Sequence, residues 1–129
     1  MSLQNDMRTP LSRVRGLGSA KDGTEHFWRQ RLTAIALVPL TLYFLWVFIQ
    51  LIGATHEQVV ACFQKPSVTI LFLIFIGTGL YHMKLGMQVI IEDYVHGGKG
   101  KALLIANTFF AILLAAACGF AILKLGFGG

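Results

Sequence analysis

A chain of 129 residues that is 55% hydrophobic and only 13% charged, with a mean hydropathy of +0.66, is too apolar for an ordinary soluble domain and too short for more than one. Its net charge of +5 sits mostly outside the apolar runs, which suits a membrane surface and gives no reason to expect a nucleic-acid partner. The expected class is an all-α membrane protein with three transmembrane helices.

The chain divides into a basic N-terminal arm, residues 1–28, and an anchor domain, residues 29–129. From Met1 to Asp22 the arm is rich in Gly, Ser and Arg and lacks the periodicity of a long helix. It ends at Gly23, with Thr24 as the expected N-cap of the first span. Such an arm enforces topology and attracts anionic lipid, or lies along a partner. The first 31 residues are polar and the first apolar run is of membrane-spanning length, so no cleavable secretory signal is expected. Asp6, Asp22 and the lack of an amphipathic helix argue against a mitochondrial transit peptide. A bacterial cell inner membrane is the preferred location, ahead of a mitochondrial one.

Three stretches reach the roughly 20 residues needed to cross about 30 Å of hydrocarbon: about Leu32 to Gly53, Ser67 to Ile91 and Ala102 to Leu125. Pro39, inside the first, is tolerated where neighbouring helices support the backbone. Between the first two lies an outer loop carrying His56, Cys62 and Lys65. Cys62 and the deep Cys118 match neither a disulfide framework nor a metal site, and both read as structural. Gly97-Gly98-Lys99-Gly100 reads as a short flexible connection, making the second and third helices antiparallel neighbours.

Basic residues set the orientation. Arg8, Arg13, Arg15, Lys21, Arg29, Arg31, Lys99 and Lys101 fall on one side, against Lys65 and Lys124 on the other. The N-terminus is therefore expected in the cytoplasm and the C-terminus in the periplasm. Asp93 and Tyr94 then emerge at the cytoplasmic surface, where Arg31 begins the first helix.

The second span carries the chemistry. Its sequence Gly79-Leu-Tyr-His82-Met-Lys-Leu-Gly86-Met-Gln-Val-Ile-Ile-Glu-Asp93-Tyr94 sets Gly79, His82, Gly86 and Asp93 within roughly 60° of one another at about 100° per residue. A neutral histidine at membrane depth can ligate iron through one ring nitrogen, and glycines beside it leave room for a flat haem. The bland reading is a hydrogen bond between helices. One histidine supplies one axial ligand, and His26, His56 and His96 are not at its depth, so a six-coordinate haem needs a partner subunit. Tyr94 can donate a hydrogen bond to a quinone carbonyl, and Asp93 can hold an arginine or relay protons. The plainer reading is an interfacial tyrosine beside a solvated aspartate. Arg31 and His26 flank the helix entry, where a guanidinium can grip carboxylates such as haem propionates. Lys84 lies about 200° round from His82 and is expected to snorkel or to pair with a partner.

His82, ten intervening residues and Asp93-Tyr94 on the second of three helices resemble the hydrophobic membrane anchor of succinate dehydrogenase (complex II). The entry segment Gly23-Thr-Glu-His26-Phe-Trp-Arg-Gln30-Arg31-Leu-Thr33-Ala34 resembles that family's first helix, and Arg8-Thr-Pro-Leu-Ser-Arg-Val-Arg-Gly-Leu-Gly its alphaproteobacterial form. The resemblance covers most of the chain. It implies that His82 is an axial ligand of haem b, shared with a cytochrome b-type C subunit that supplies the other ligand. It likewise implies that Tyr94 hydrogen-bonds ubiquinone, that Asp93 orients an arginine of the C subunit or assists protonation, and that Arg31 contacts a propionate. FAD and iron-sulfur clusters would reside in the flavoprotein and iron-sulfur partners, leaving this chain a non-catalytic subunit that tethers them to the lipid. Two other readings are the anchor of a fumarate reductase and a cofactor-free structural or transport subunit in which His82 only bridges helices.

Overall fold

In a computed structural model of the chain, residues 9–15 and 21–128 are described; Arg8 and residues 16–20 of the basic arm lie outside them. The described residues form five helices: α1 (Pro10–Val14), α2 (Lys21–Gln50), α3 (His56–Phe63), α4 (Pro66–Tyr94) and α5 (Gly97–Gly126). Three of them, α2, α4 and α5, are long and apolar enough to cross a membrane, and no strand occurs among the described residues.

The spans are longer than their apolar runs. α2 passes straight through Gly23 and Thr24, so Thr24 is not its N-cap. The Glu25–Arg29 ion pair, spaced i,i+4, supports the polar first turns that hydropathy alone leaves out. α2 also continues across Trp28 and Arg29 without a break. Cys62 and His56 lie not in a loop but in α3. That helix is started by a capping box in which the Thr55 hydroxyl accepts from the Gln58 N–H and the Gln58 side chain accepts from the Thr55 N–H. Pro66 then opens α4 at its first position, where a missing N–H does no harm.

The connection after α4 is shorter than its glycines suggest. Only Val95 and His96 separate α4 from α5, and Gly97 to Gly100 form the first turn of α5. Gly97 takes φ +73° as the chain reverses, a conformation that favours glycine. At Gly100 the reason is space: a Cβ there would stand 3.2 Å from the Val95 carbonyl carbon and closer still to its oxygen. Gly100→Ala is therefore expected to destabilise the α4–α5 hairpin by about 1–3 kcal/mol, the usual penalty of overpacking. Gly98→Ala, which meets nothing within 4 Å, serves as the control. Unfolding of the solubilised protein in graded denaturing detergent compares the two.

α4 is the central helix, packing against both α2 and α5, while α2 and α5 do not pack on each other among the described residues. Cross-helix pairs show that both packings are antiparallel. Thr33 meets His82 and Phe44 meets Phe75 across α2 and α4; Asn107 Nδ2 donates to the Lys84 carbonyl at 3.0 Å across α4 and α5. At the end bearing α3, a Cβ on Gly126 would lie 3.0 Å from the Thr69 side chain, and Thr69 itself donates to the Phe63 carbonyl. Small residues and a buried amide let these helices approach where lipid offers no hydrophobic drive to associate.

Aromatic rings fix the same end. Phe44 is 1% exposed, with its ring centroid 4.6 Å from that of Phe72 and 5.1 Å from that of Phe75; Phe63 of α3 lies 5.3 Å from Phe72. Elsewhere Ile35, Leu42, Trp46, Ile74, Phe109 and Phe120 remain exposed. Helices apolar on every side are at home in lipid.

Candidate functional site

The seam between α2 and α4 holds the deep histidine. His82 Nδ1 lies 2.9 Å from Thr33 Oγ1, and that hydroxyl is also 2.9 Å from the Arg29 carbonyl oxygen and 3.0 Å from that of Gln30. Among the described residues no hydrogen bond engages the other ring nitrogen, Nε2. His82 borders a shallow, open groove of about 370 Å³ whose wall is α2: Ala34, Leu37, Val38, Thr41 and Leu42. A histidine nitrogen facing an apolar groove at membrane depth is suited to a flat, largely apolar ligand with an electron-pair acceptor at its centre.

The glycines flanking His82 serve the seam between α2 and α4 and do not line the groove. A Cβ on Gly79 would meet Leu37 at 3.8 Å, and one on Gly86 would meet the Gln30 amide at 3.5 Å. Both spaces are taken up by α2, so the glycine stripe marks where two helices approach. Close approach is also what brings Thr33 within reach of His82.

Arg31 is exposed, and its guanidinium sits over the Phe27 ring, 5.1 Å from the centroid. At about 100° per residue Arg31, Ala34, Val38 and Leu42 share one strip of α2, so Arg31 stands at the basic end of the strip that walls the groove. His26 does not join it. Roughly 140° round α2 from Arg31, His26 lines a separate cavity of about 520 Å³ with Glu25, Arg29, Tyr81, Lys84, Gln88 and Glu92. Lys84 is half-buried there. Among the described residues, two buried atoms near the seam have no hydrogen-bond partner, His26 Nε2 and Gln30 Oε1.

Asp93 and Tyr94 close α4 at the same end as Arg31. Asp93 is eleven residues beyond His82, about 20° round and about 16 Å along the helix. Both side chains are exposed, Tyr94 to 81%, and neither makes a hydrogen bond or ion pair among the described residues. Their polar atoms are thus available to something outside this chain. No group of three or more metal-ligating side chains occurs among the described residues.

Thr33 is the contributor that sequence reasoning passed over. A hydroxyl two residues after Arg31 in an apolar run is a weak signal by itself. It becomes informative only once the antiparallel register sets the start of α2 beside the second half of α4.

Comparison with known proteins places the chain in a group. The family described as succinate dehydrogenase/fumarate reductase transmembrane subunit matches residues 5–122. The chain is 36% identical over 120 residues to the succinate dehydrogenase hydrophobic membrane anchor subunit of Paracoccus denitrificans, covering 93% of each chain. It is 38% identical over 109 residues to the protein of the same name from Rickettsia bellii, covering 84% of this chain and 87% of that one. A succinate dehydrogenase membrane anchor subunit of Reclinomonas americana is 38% identical over 84 residues, 63% of this chain and 70% of the relative. No solved structure matches the chain.

Proposed function

The chain belongs to the succinate dehydrogenase/fumarate reductase transmembrane subunit family, and from that premise we propose that it anchors a succinate:ubiquinone oxidoreductase, supplying one axial ligand to haem b and part of the quinone site. It is a multi-pass membrane subunit. The observation that carries the haem assignment is the state of His82: one ring nitrogen is held by Thr33 while the other is unengaged beside an apolar groove.

The residues fit the group. His82 Nε2 would ligate the iron, Ala34, Val38 and Thr41 would wall the macrocycle, and Arg31 at the end of that strip would grip a propionate. Haem b, when bound, supplies a one-electron store within the membrane. A cytochrome b-type C subunit provides the second ligand, because this chain's other histidines lie at α2's start, at α3 and between α4 and α5. The exposed flanks of α2 and α5 leave apolar surface for that subunit.

Succinate oxidation to fumarate releases two electrons and two protons in the flavoprotein, and ubiquinone takes up two of each in becoming ubiquinol; this chain acts at the second half-reaction. The Tyr94 hydroxyl donates a hydrogen bond to a quinone carbonyl, favouring the negative charge that builds on that oxygen as electrons arrive. Asp93, beside it and without a partner among the described residues, orients an arginine of the C subunit or assists protonation. The basic arm and the Lys99–Lys101 turn keep this end in the cytoplasm of a bacterium, where the soluble subunits dock. FAD and the iron-sulfur clusters stay in those partners.

The Thr33–His82 bond would by itself also serve a cofactor-free subunit in which His82 merely bridges helices. One purification separates the two readings. The complex captured through a tag on this chain is expected to show a reduced-minus-oxidised b-type spectrum and succinate-dependent quinone reduction. An intact complex without haem would sink the haem assignment, and capture without the succinate-oxidising subunits would sink the anchor assignment.

A further inference from the structure

The hydroxyl of Thr33 is within hydrogen-bond reach of three groups at once, and its chemistry decides which way each bond runs. A threonine hydroxyl has one hydrogen and two lone pairs. The carbonyl oxygens of Arg29 and Gln30, at 2.9 and 3.0 Å, can only accept, so they share its hydrogen. What the hydroxyl then offers His82, 2.9 Å away, is a lone pair. With the hydroxyl's hydrogen directed to those carbonyls, the imidazole answers with Nδ1–H, which leaves the ring's own lone pair on Nε2, the nitrogen that no protein group engages among the described residues.

We infer that Thr33 is the positioning residue of the haem ligand: it fixes the Nδ1–H tautomer and the ring orientation of His82 and makes Nε2 a stronger electron donor to iron. This rests on the haem reading above. A ligating histidine whose other N–H is hydrogen-bonded is held in one orientation and becomes more basic, and at low local dielectric such a bond counts for more than in water. The back-bond to Arg29 and Gln30 makes Thr33 effective, because a hydroxyl whose hydrogen is directed to the backbone presents a lone pair to Nδ1. The backbone of α2's first turns thereby sets the ring on α4.

The test uses the whole complex carrying Thr33→Val, Thr33→Ser or His82→Ala. Valine keeps the shape and removes the hydroxyl; serine keeps the hydroxyl and removes the methyl. Thr33→Val is expected to weaken haem retention about tenfold or more, the range seen when an outer partner of a metal ligand is lost. Retention is read as transfer of haem to an excess apoprotein acceptor. The ferric low-spin EPR signal should move and the haem midpoint potential should rise, since a less basic ligand stabilises the ferric state less. Thr33→Ser should restore all three. Wild-type EPR, potential and haem retention in Thr33→Val would overturn the inference. If the valine variant does not assemble, the serine variant decides, and departure from wild type there would make the methyl's packing the cause. His82→Ala tells the two ideas apart. Haem that survives it removes the haem reading itself, whereas haem lost in His82→Ala but unaltered in Thr33→Val removes only the role of Thr33.

Discussion

His82→Ala is expected to abolish the b-type spectrum of the assembled complex. An outer partner of a metal ligand is worth about 10–100-fold in affinity, and removing the ligand itself should exceed that range. No substitute stands nearby, because the other histidines lie at different depths and the apolar wall of the groove offers iron no strong donor. The alanine also leaves Thr33 without its partner across the helices. That loss is mild, since interhelical hydrogen bonds in membranes average about 0.6 kcal/mol, so the complex should still assemble. Haem content per complex and the reduced-minus-oxidised spectrum measure the effect. Succinate oxidation by an artificial acceptor at the flavoprotein should be little changed. A normal haem spectrum in this variant would mean that the iron is ligated elsewhere.

Tyr94→Phe is expected to slow succinate-to-quinone turnover by about two- to thirteen-fold, equivalent to the roughly 0.5–1.5 kcal/mol of one hydrogen bond. The ring and its packing remain, and a side chain 81% exposed in this chain contributes little to its stability, so assembly and haem content should match wild type. Quinone-site inhibitors should bind less tightly by a similar factor. Activity with an artificial acceptor upstream of the quinone should persist. Turnover and inhibitor affinity both at wild-type levels would make Tyr94 an interfacial anchor and nothing more.

Legibility along the chain differs from residue to residue. Three spans followed from hydropathy because hydrocarbon requires about 20 apolar residues and a continuous helix, and α2, α4 and α5 answer to that requirement. The resemblance to the succinate dehydrogenase anchor family was legible in His82, Asp93 and Tyr94 on the second span, and the family match bears it out. The helix ends were not legible. Polar first turns of α2 are invisible to hydropathy, and the capping box of Thr55 and Gln58, present in the sequence, reads as loop. Gly97 to Gly100 looks like a linker because glycine signals both freedom and lack of space; only the Val95 carbonyl pressed against Gly100 reveals the second.

Composition and spacing are properties along one chain, and they suffice to make this a three-span membrane protein and to nominate His82, Asp93 and Tyr94 as candidates for its chemistry. Packing between helices settled the rest: that α4 lies between α2 and α5, that Gly79 and Gly86 admit Leu37 and Gln30, that His26 shares a cavity with Tyr81 and Lys84, and that Thr33 holds His82. Each of these depends on the register between antiparallel helices, where a shift of one residue turns a side chain by about 100°, and that register is set by packing between residues as far apart in sequence as Phe44 and Phe75.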